Sequence, residues 1–148
     1  MTAHDLLSNR TIVVTGAATG IGQAFAVGCA AQGANVVVAD LGAADETMAA
    51  IAAAGGQSLY TRTDVSDDAS TREMAAQTVA KFGRIDGLVN NAAYFREVKL
   101  TDFEQIDPAV WDRVFQVNVK GVWNCCKAVM PAMREQKSGS IVDRKSVV

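Results

Sequence analysis

Three glycines, Gly16, Gly20 and Gly22, stand within Thr15-Gly-Ala-Ala-Thr-Gly-Ile-Gly22, where a β-branched run hands over to an alanine-rich stretch. If the run is a strand and the stretch a helix, the chemistry on offer is anion binding. Free N–H groups at a helix N-terminus hold a pyrophosphate when the backbone turns tightly and no Cβ blocks the approach. Gly16 then makes the turn, Gly20 admits the phosphates and Gly22 lets the helix pack against the strand, with Thr19 and Ile21 beside Gly20 in the same site. The same glycines would equally serve a tight strand-to-helix turn that binds nothing, so a partner is needed. Asp40 supplies one at the carboxyl end of the next apolar run, about 20 residues downstream, where a carboxylate accepts hydrogen bonds from adenosine ribose hydroxyls. It would also repel a 2′-phosphate, and Leu41-Gly-Ala-Ala44 after it brings no basic residue. The pattern points to NAD(H) over NADP(H), with Leu41 counted in the site. An aspartate at a strand end can also simply cap the following turn.

The elements that must position these residues alternate from the start. Thr11–Thr15 and Asn35–Asp40 read as buried strands, with a helix over 21–31 between them closed by Gly33. A helix over 45–54 follows, with Asp45 as its N-cap and Gly55-Gly56 as its stop. A third strand spans 58–65, and an amphipathic helix Asp68–Phe82 carries Met74, Thr78 or Val79, and Phe82 on one face and ends at Gly83. A fourth strand covers 85–89. The polar, aromatic-bearing connection 93–107 has room for a short helix, and Asp107-Pro108 opens a long helical stretch to residue 136 that Asn118, Gly121 and Pro131 all weaken. A fifth strand begins at 139–142. Strands alternating with helices imply an α/β fold with a doubly wound parallel sheet of Rossmann type.

Composition narrows the function. With 49% hydrophobic and 20% charged residues over 148, the chain has the make-up of a soluble globular domain. Its formal charge of −2 offers no field for a polyanion, so neither nucleic acid nor an anionic membrane is expected as a partner. Residues 1–10 contain no apolar run to act as signal or anchor, and a cytoplasmic location is expected. Cys29, Cys125 and Cys126 lack CxxC spacing and the chain has a single histidine, His4, so no metal site is expected and the cysteines read as reduced core or interface residues.

With the G-x3-G-x-G spacing in place, the chain resembles the short-chain dehydrogenase/reductase family, and further segments repeat that family's landmarks in order. Asp64-Val65 matches the pair at the end of the third strand that holds the adenine. Asn90-Asn91-Ala92-Ala93 is similar to the family's Asn-Asn-Ala-Gly, which implies Asn91, Ala92 and Ala93 beside the cofactor and Asn90 tying the sheet. Ala93 stands where glycine is usual; a positive φ there would cost roughly 1 kcal/mol, and otherwise the methyl merely narrows the nicotinamide pocket. Asn118, in Val117-Asn-Val-Lys-Gly121, matches the catalytic asparagine that bends the long helix and holds a water in the proton relay. The resemblance implies hydride transfer between NAD(H) and a small-molecule secondary alcohol or ketone, a sheet order 3-2-1-4-5-6-7, and a homodimer or homotetramer formed through the helix bearing Trp111, Trp123 and Met130.

The family's Tyr-x-x-x-Lys is not among these residues, since Tyr60 and Tyr94 are followed four positions on by Asp64 and Val98. The chain is therefore expected to be an inactive fragment with its sheet incomplete at one edge. Residues 1–142 read as the dinucleotide-binding unit. Asp143-Arg-Lys145 puts charges where a buried parallel strand should stay apolar, so 143–148 reads as a foreign or frameshifted tail, although Ser146 falls by count at the family's catalytic serine. The competing function is a noncatalytic dinucleotide-binding or interaction module.

Overall fold

Thr-Ile-Val-Val-Thr and Asn-Val-Val-Val-Ala-Asp are β-branched runs without polar alternation, a composition that suits strands covered on both faces. They form β1 (Thr11–Thr15) and β2 (Asn35–Asp40), the buried centre of a parallel sheet. The structure, a computed structural model, describes residues 6–95 and 98–144. Among these the sheet has five strands in the order β3-β2-β1-β4-β5, with β3 at Ser58–Arg62, β4 at Gly87–Asn90 and β5 at Ser140–Asp143. All pairings are parallel. The α/β doubly wound Rossmann-type sheet expected from the alternation is the one observed, open at the β5 edge.

Side chains alternate across the strands and create two cores. Ile12, Val14, Val36 and Val38 face α1 (Gly20–Ala31) and α2 (Asp45–Ala53), meeting Ala26, Ala30 and Ile51. Val13, Val37, Ala39 and Leu88 face α3 (Asp68–Phe82) and α5 (Gly121–Gln136), meeting Met74, Val129 and Met133. Of the two alternatives for the inner face of α3, Thr78 is buried and Val79 exposed. Gly83 ends that helix at φ 74° as expected, and Asp67 caps its start through the N–H groups of Ala69 and Ser70.

Several boundaries differ from those read in the sequence, four of them for a physical reason. The third strand stops at Arg62 rather than reaching residue 65: the Thr63 N–H still reaches the Asp40 carbonyl (2.9 Å), completing the pairing of Arg62 with Asp40, but β2 itself ends at Asp40 and turns away at Gly42, so no partner strand continues. Asp64 and Val65 thus lie in the turn beyond the strand. The fourth begins at Gly87, since the Ile85 N–H is taken by the Gln136 side chain (3.0 Å). Asp45 is not the N-cap of α2: Ala44 holds that position, and Asp45 and Glu46 occupy the first turn, where negative charge opposes the positive helix end. The helical stretch from Pro108 is divided into α4 (Pro108–Phe115), a π-helical segment Gln116–Lys120 and α5. Of the three weak points, only Asn118 lies in the interruption; Gly121 opens α5 and Pro131 sits inside it without ending it.

One charged group is built into the core edge. The Asp86 carboxylate, 7% exposed, accepts hydrogen bonds from Arg84 (2.6 and 2.7 Å), Arg10 (2.9 Å) and the Thr11 N–H (2.9 Å). Burial alone would push its pKa up, but the bonds from Arg84, Thr11 and Arg10 outweigh burial and hold it at about 2.

β5 departs from the expectation of a buried strand. All four residues are exposed, with Val142 at 55%. The register runs through Asp143, which pairs with Asn90, and the Arg144 N–H donates to the Asn90 carbonyl (3.0 Å). Asp143 therefore meets solvent and a partner rather than an apolar layer. Ser146 and His4 lie outside the described residues.

Candidate cofactor site

At the carboxyl ends of β1 and β4 the chain leaves the sheet in opposite directions, to α1 on one face and, through Ala92 and Tyr94, onto the core of the other. A crevice opens there, as it does where strand order reverses in open α/β sheets. Its volume is about 490 Å³. Gly16, Thr19, Gly20, Ile21, Gly22, Asp40, Leu41, Asp64, Val65, Asn91, Ala92 and Ala93 all line it, so residues picked from separate stretches of sequence share one cleft. A hollow of equal volume on α4 and α5, lined by Phe115, Val119 and Trp123, is almost wholly apolar and presents no comparable set of polar donors.

The glycine turn has the geometry an anion needs. Gly16 adopts φ 65°, and a Cβ on it would come within 2.8 Å of the Ala92 Cα. Gly20 adopts φ 62° with nothing within 4 Å of where its Cβ would be, leaving its outer side open. Gly22 serves closeness as expected, but against the turn rather than the strand: its Cβ would lie 2.0 Å from the Gly16 carbonyl oxygen. Helices α3 and α4 are capped by Asp67 and Asp107, whereas Thr19 at the N-cap of α1 makes no side-chain cap bond. The first-turn N–H groups of α1 are left for another acceptor.

Asp40 closes the turn from the side. One carboxylate oxygen accepts the Ala18 N–H (2.8 Å) and the other the Gly42 N–H (2.9 Å). It thus does cap the turn that follows β2, and it also reaches across to the glycine turn. Each oxygen retains a lone pair for a further donor. Tyr60 steadies the same corner by donating its hydroxyl to the Gly42 carbonyl (2.9 Å).

On the opposite wall a single hydroxyl organises the strand ends. Thr15 Oγ1 accepts the N–H groups of Asn91 (3.1 Å) and Ala92 (3.0 Å) and donates to the Val89 carbonyl (3.3 Å). Asn91 turns its amide onto the carbonyls of Thr15 (3.0 Å) and Gly16 (3.1 Å). Asn90 ties β4 to β5 through Asp143 (2.7 Å). Ala93 is not among the positive-φ residues, so the methyl carries no left-handed strain there and simply stands exposed at the cleft wall.

Asn118 is not in the cleft lining, but it acts on a residue that is. Its Oδ1 accepts the Tyr94 N–H (2.8 Å) and its Nδ2 donates to the Tyr94 carbonyl (3.3 Å), from within the π-helical segment. Such segments are common at functional sites. Asn118→Ala should raise amide exchange at Tyr94 several-fold and lower stability by about 1–2 kcal/mol, as expected when a two-way side-chain clamp is lost; hydrogen-exchange mass spectrometry with a urea melt checks both. Tyr94 and Phe95 also line the cleft, while Arg96 lies outside the described residues. Thr63, Arg113, Val117 and Arg144 also line the cleft and were not legible as site residues. Arg113 and Arg144 take partners far away in sequence, which no local motif marks.

The short chain dehydrogenase family profile matches residues 10–148. The chain belongs to the short-chain dehydrogenases. Among curated relatives it is 36% identical over 143 residues to the 3-oxoacyl-[acyl-carrier-protein] reductase FabG of Staphylococcus epidermidis, covering 95% of this chain and 57% of that protein. It is 40% identical over 149 aligned positions to the 2,5-dichloro-2,5-cyclohexadiene-1,4-diol dehydrogenase of Sphingobium indicum, covering 95% of this chain and 56% of that one. Among solved structures, NAD+-bound xylitol dehydrogenase superposes with a TM-score of 0.89 at 28% identity, over 94% of this chain and 54% of that chain. Levodione reductase superposes at 0.87 with 35% identity, over 93% of this chain and 54% of that one. The chain thus spans little more than half the length of these proteins.

Proposed function

We propose that this chain is the NAD(H)-holding part of an oxidoreductase that moves hydride between nicotinamide and a secondary alcohol or ketone. The observation that carries the reading is the uncapped N-terminus of α1, opening at Gly20 onto the same cleft that the Asp40 carboxylate borders. The N–H groups at Gly20 to Gly22 would take the pyrophosphate, Asp40 the adenosine ribose, and Asp64 with the Val65 N–H the adenine. Asn91, Ala92 and Ala93 would border the nicotinamide ribose. Bound there, the dinucleotide would supply the hydride acceptor or donor. Asn118 fixes the Tyr94 backbone beside it, which holds that wall in shape for substrate and for a proton relay. The relatives' names support the substrate class, since they include reductases and the dehydrogenases of a diol and of xylitol. An exposed apolar face on α4 and α5, with Trp111 stacked on Phe115 at 4.8 Å and Trp123 at 58% exposure, supports a homodimer or homotetramer of the full-length form. Cys29, Cys125 and Cys126 form no disulfide among the described residues, which suits a cytoplasmic setting.

The preference for NAD(H) rests on Asp40 with no basic neighbour in Leu41-Gly-Ala-Ala44. Asp40→Ala with Leu41→Arg removes the repulsion of a 2′-phosphate and offers it a cation. The ratio of NADP to NAD affinity, measured by calorimetric titration of the chain, should rise more than about tenfold, the scale of adding one charge-assisted bond and removing one repulsion. An unchanged ratio would remove Asp40 from the site.

A further inference from the structure

The turn assigned above to the adenine is held from a distance. Within it, Asp64 Oδ1 accepts both the N–H and the hydroxyl of Ser66 (2.9 and 2.6 Å), and the Asp64 N–H goes to Ser70 Oγ (2.9 Å). Across the cleft, α4 sends Arg113 onto this turn: Nη1 donates to Ser66 Oγ (2.9 Å), and Nη2 stands 3.8 Å from Asp64 Oδ2. The same guanidinium lies over the Tyr94 ring, 5.9 Å from its centre. From α5, fully buried Asn124 donates to the Val65 carbonyl (3.0 Å), and Gly121 leaves just the space that Val65 fills, since a Cβ there would meet Val65 Cγ2 at 2.7 Å. None of these bonds uses the Val65 N–H.

The consequence is chemical. Asp64 and Val65 can recognise a six-membered ring bearing an amino donor beside an acceptor nitrogen only if carboxylate and amide keep one relative geometry. Ser66 fixes one carboxylate oxygen, and Arg113 both backs Ser66 and draws the second oxygen into line. We propose that Arg113 is a positioning residue for the adenine amino group, acting through Ser66 and Asp64 and linking that end of the cleft to the Tyr94 wall. The inference rests on the assignment of the cleft to a nicotinamide dinucleotide. It concerns how this chain's own residues, and Arg113 above all, present the carboxylate.

The test uses NAD and its analogue nicotinamide hypoxanthine dinucleotide, in which a carbonyl replaces the adenine amino group, titrated calorimetrically into the chain. Wild type should bind NAD more tightly than the analogue. Arg113→Met should weaken NAD roughly tenfold, the scale of one lost charge-assisted bond, and leave the analogue within about twofold. Arg113→Lys, which keeps the charge, should recover part of the discrimination. Arg113 is 36% exposed at its side chain, so its replacement leaves the core intact, and an unchanged thermal melt checks this. Equal losses for both dinucleotides, or discrimination equal to wild type in Arg113→Met, would overturn the positioning role while leaving the cofactor assignment standing. A wild-type chain that bound neither compound would overturn both.

Discussion

Gly22→Ala is expected to abolish measurable NAD binding and to lower the melting temperature by about 5–10 °C. The added methyl would sit 2.0 Å from the Gly16 carbonyl oxygen and 2.6 Å from the Asn91 amide. Neither is the loose end of a flexible side chain: Gly16 is in the turn itself, and Asn91 is bonded to two backbone carbonyls. Either α1 retreats from the turn or the turn opens. Overpacking of this kind costs roughly 1–3 kcal/mol, which in a chain of this length is about 3–4 °C for each kcal/mol. A displacement near 1 Å of the N–H groups proposed to hold the phosphates would weaken their grip about a hundredfold. Gly28→Ala is the control within the same helix, because its Cβ would meet nothing within 4 Å. It should raise stability by about 0.5–1 kcal/mol through helix propensity and leave NAD affinity unchanged. Thermal melts of the two variants should therefore move in opposite directions, and calorimetric titration should show a loss of binding for Gly22→Ala alone; equal behaviour would remove the close approach at Gly22 from the account.

Asp86→Asn should cost about 2–3 kcal/mol at neutral pH, below the loss typical of fully buried pairs because Arg10 and Arg84 can turn to water. The pH dependence follows from the direction of the shift. The folded-state pKa of Asp86 is about 2, below its ordinary value of 3.8, so the unfolded chain takes up its proton first on acidification. The contribution is complete above pH ~4 and is lost as pH falls through about 2, amounting to roughly 2 kcal/mol. Urea melts of wild type should lose this increment between pH 4 and 2, and Asp86→Asn should lack that part of the slope. An identical acid profile in both proteins would show that the carboxylate is not the group responsible.

What was legible in the sequence is what depends on neighbours in the chain. α3 ran over its expected residues because a cap, an amphipathic face and a terminal glycine all act within a turn or two of each other. That the chosen residues would share one cleft was legible too, since strand ends and the residues that follow them must gather on one side of a parallel sheet. The third strand was overextended because Thr61-Arg-Thr63 has the β-branched composition of a strand, while what stops it is the end of its partner β2 at Asp40, outside any local window. Asp45 looked like a cap for want of a better polar residue, yet its carboxylate serves the first turn equally well.

Interactions between distant residues were invisible for the same reason. Asp86 meets Arg10 from 76 residues away, Asn124 meets Val65 from 59 and Arg113 meets Ser66 from 47. Each side chain taken singly reads as a solvated charge or a helix surface amide. Arg144 was set aside with the tail because the fifth strand was expected to be buried, whereas the strand is exposed and Arg144 lines the cleft.

Thr15 Oγ1 fastens the outlet of β1 to that of β4 by three hydrogen bonds, and the threonine is 1% exposed. The floor between the two strands is consequently set when the sheet forms rather than when a guest arrives. A dinucleotide held as proposed would find little freedom there to freeze out, and any yielding on loading would fall to the more exposed Ala93–Phe95 side.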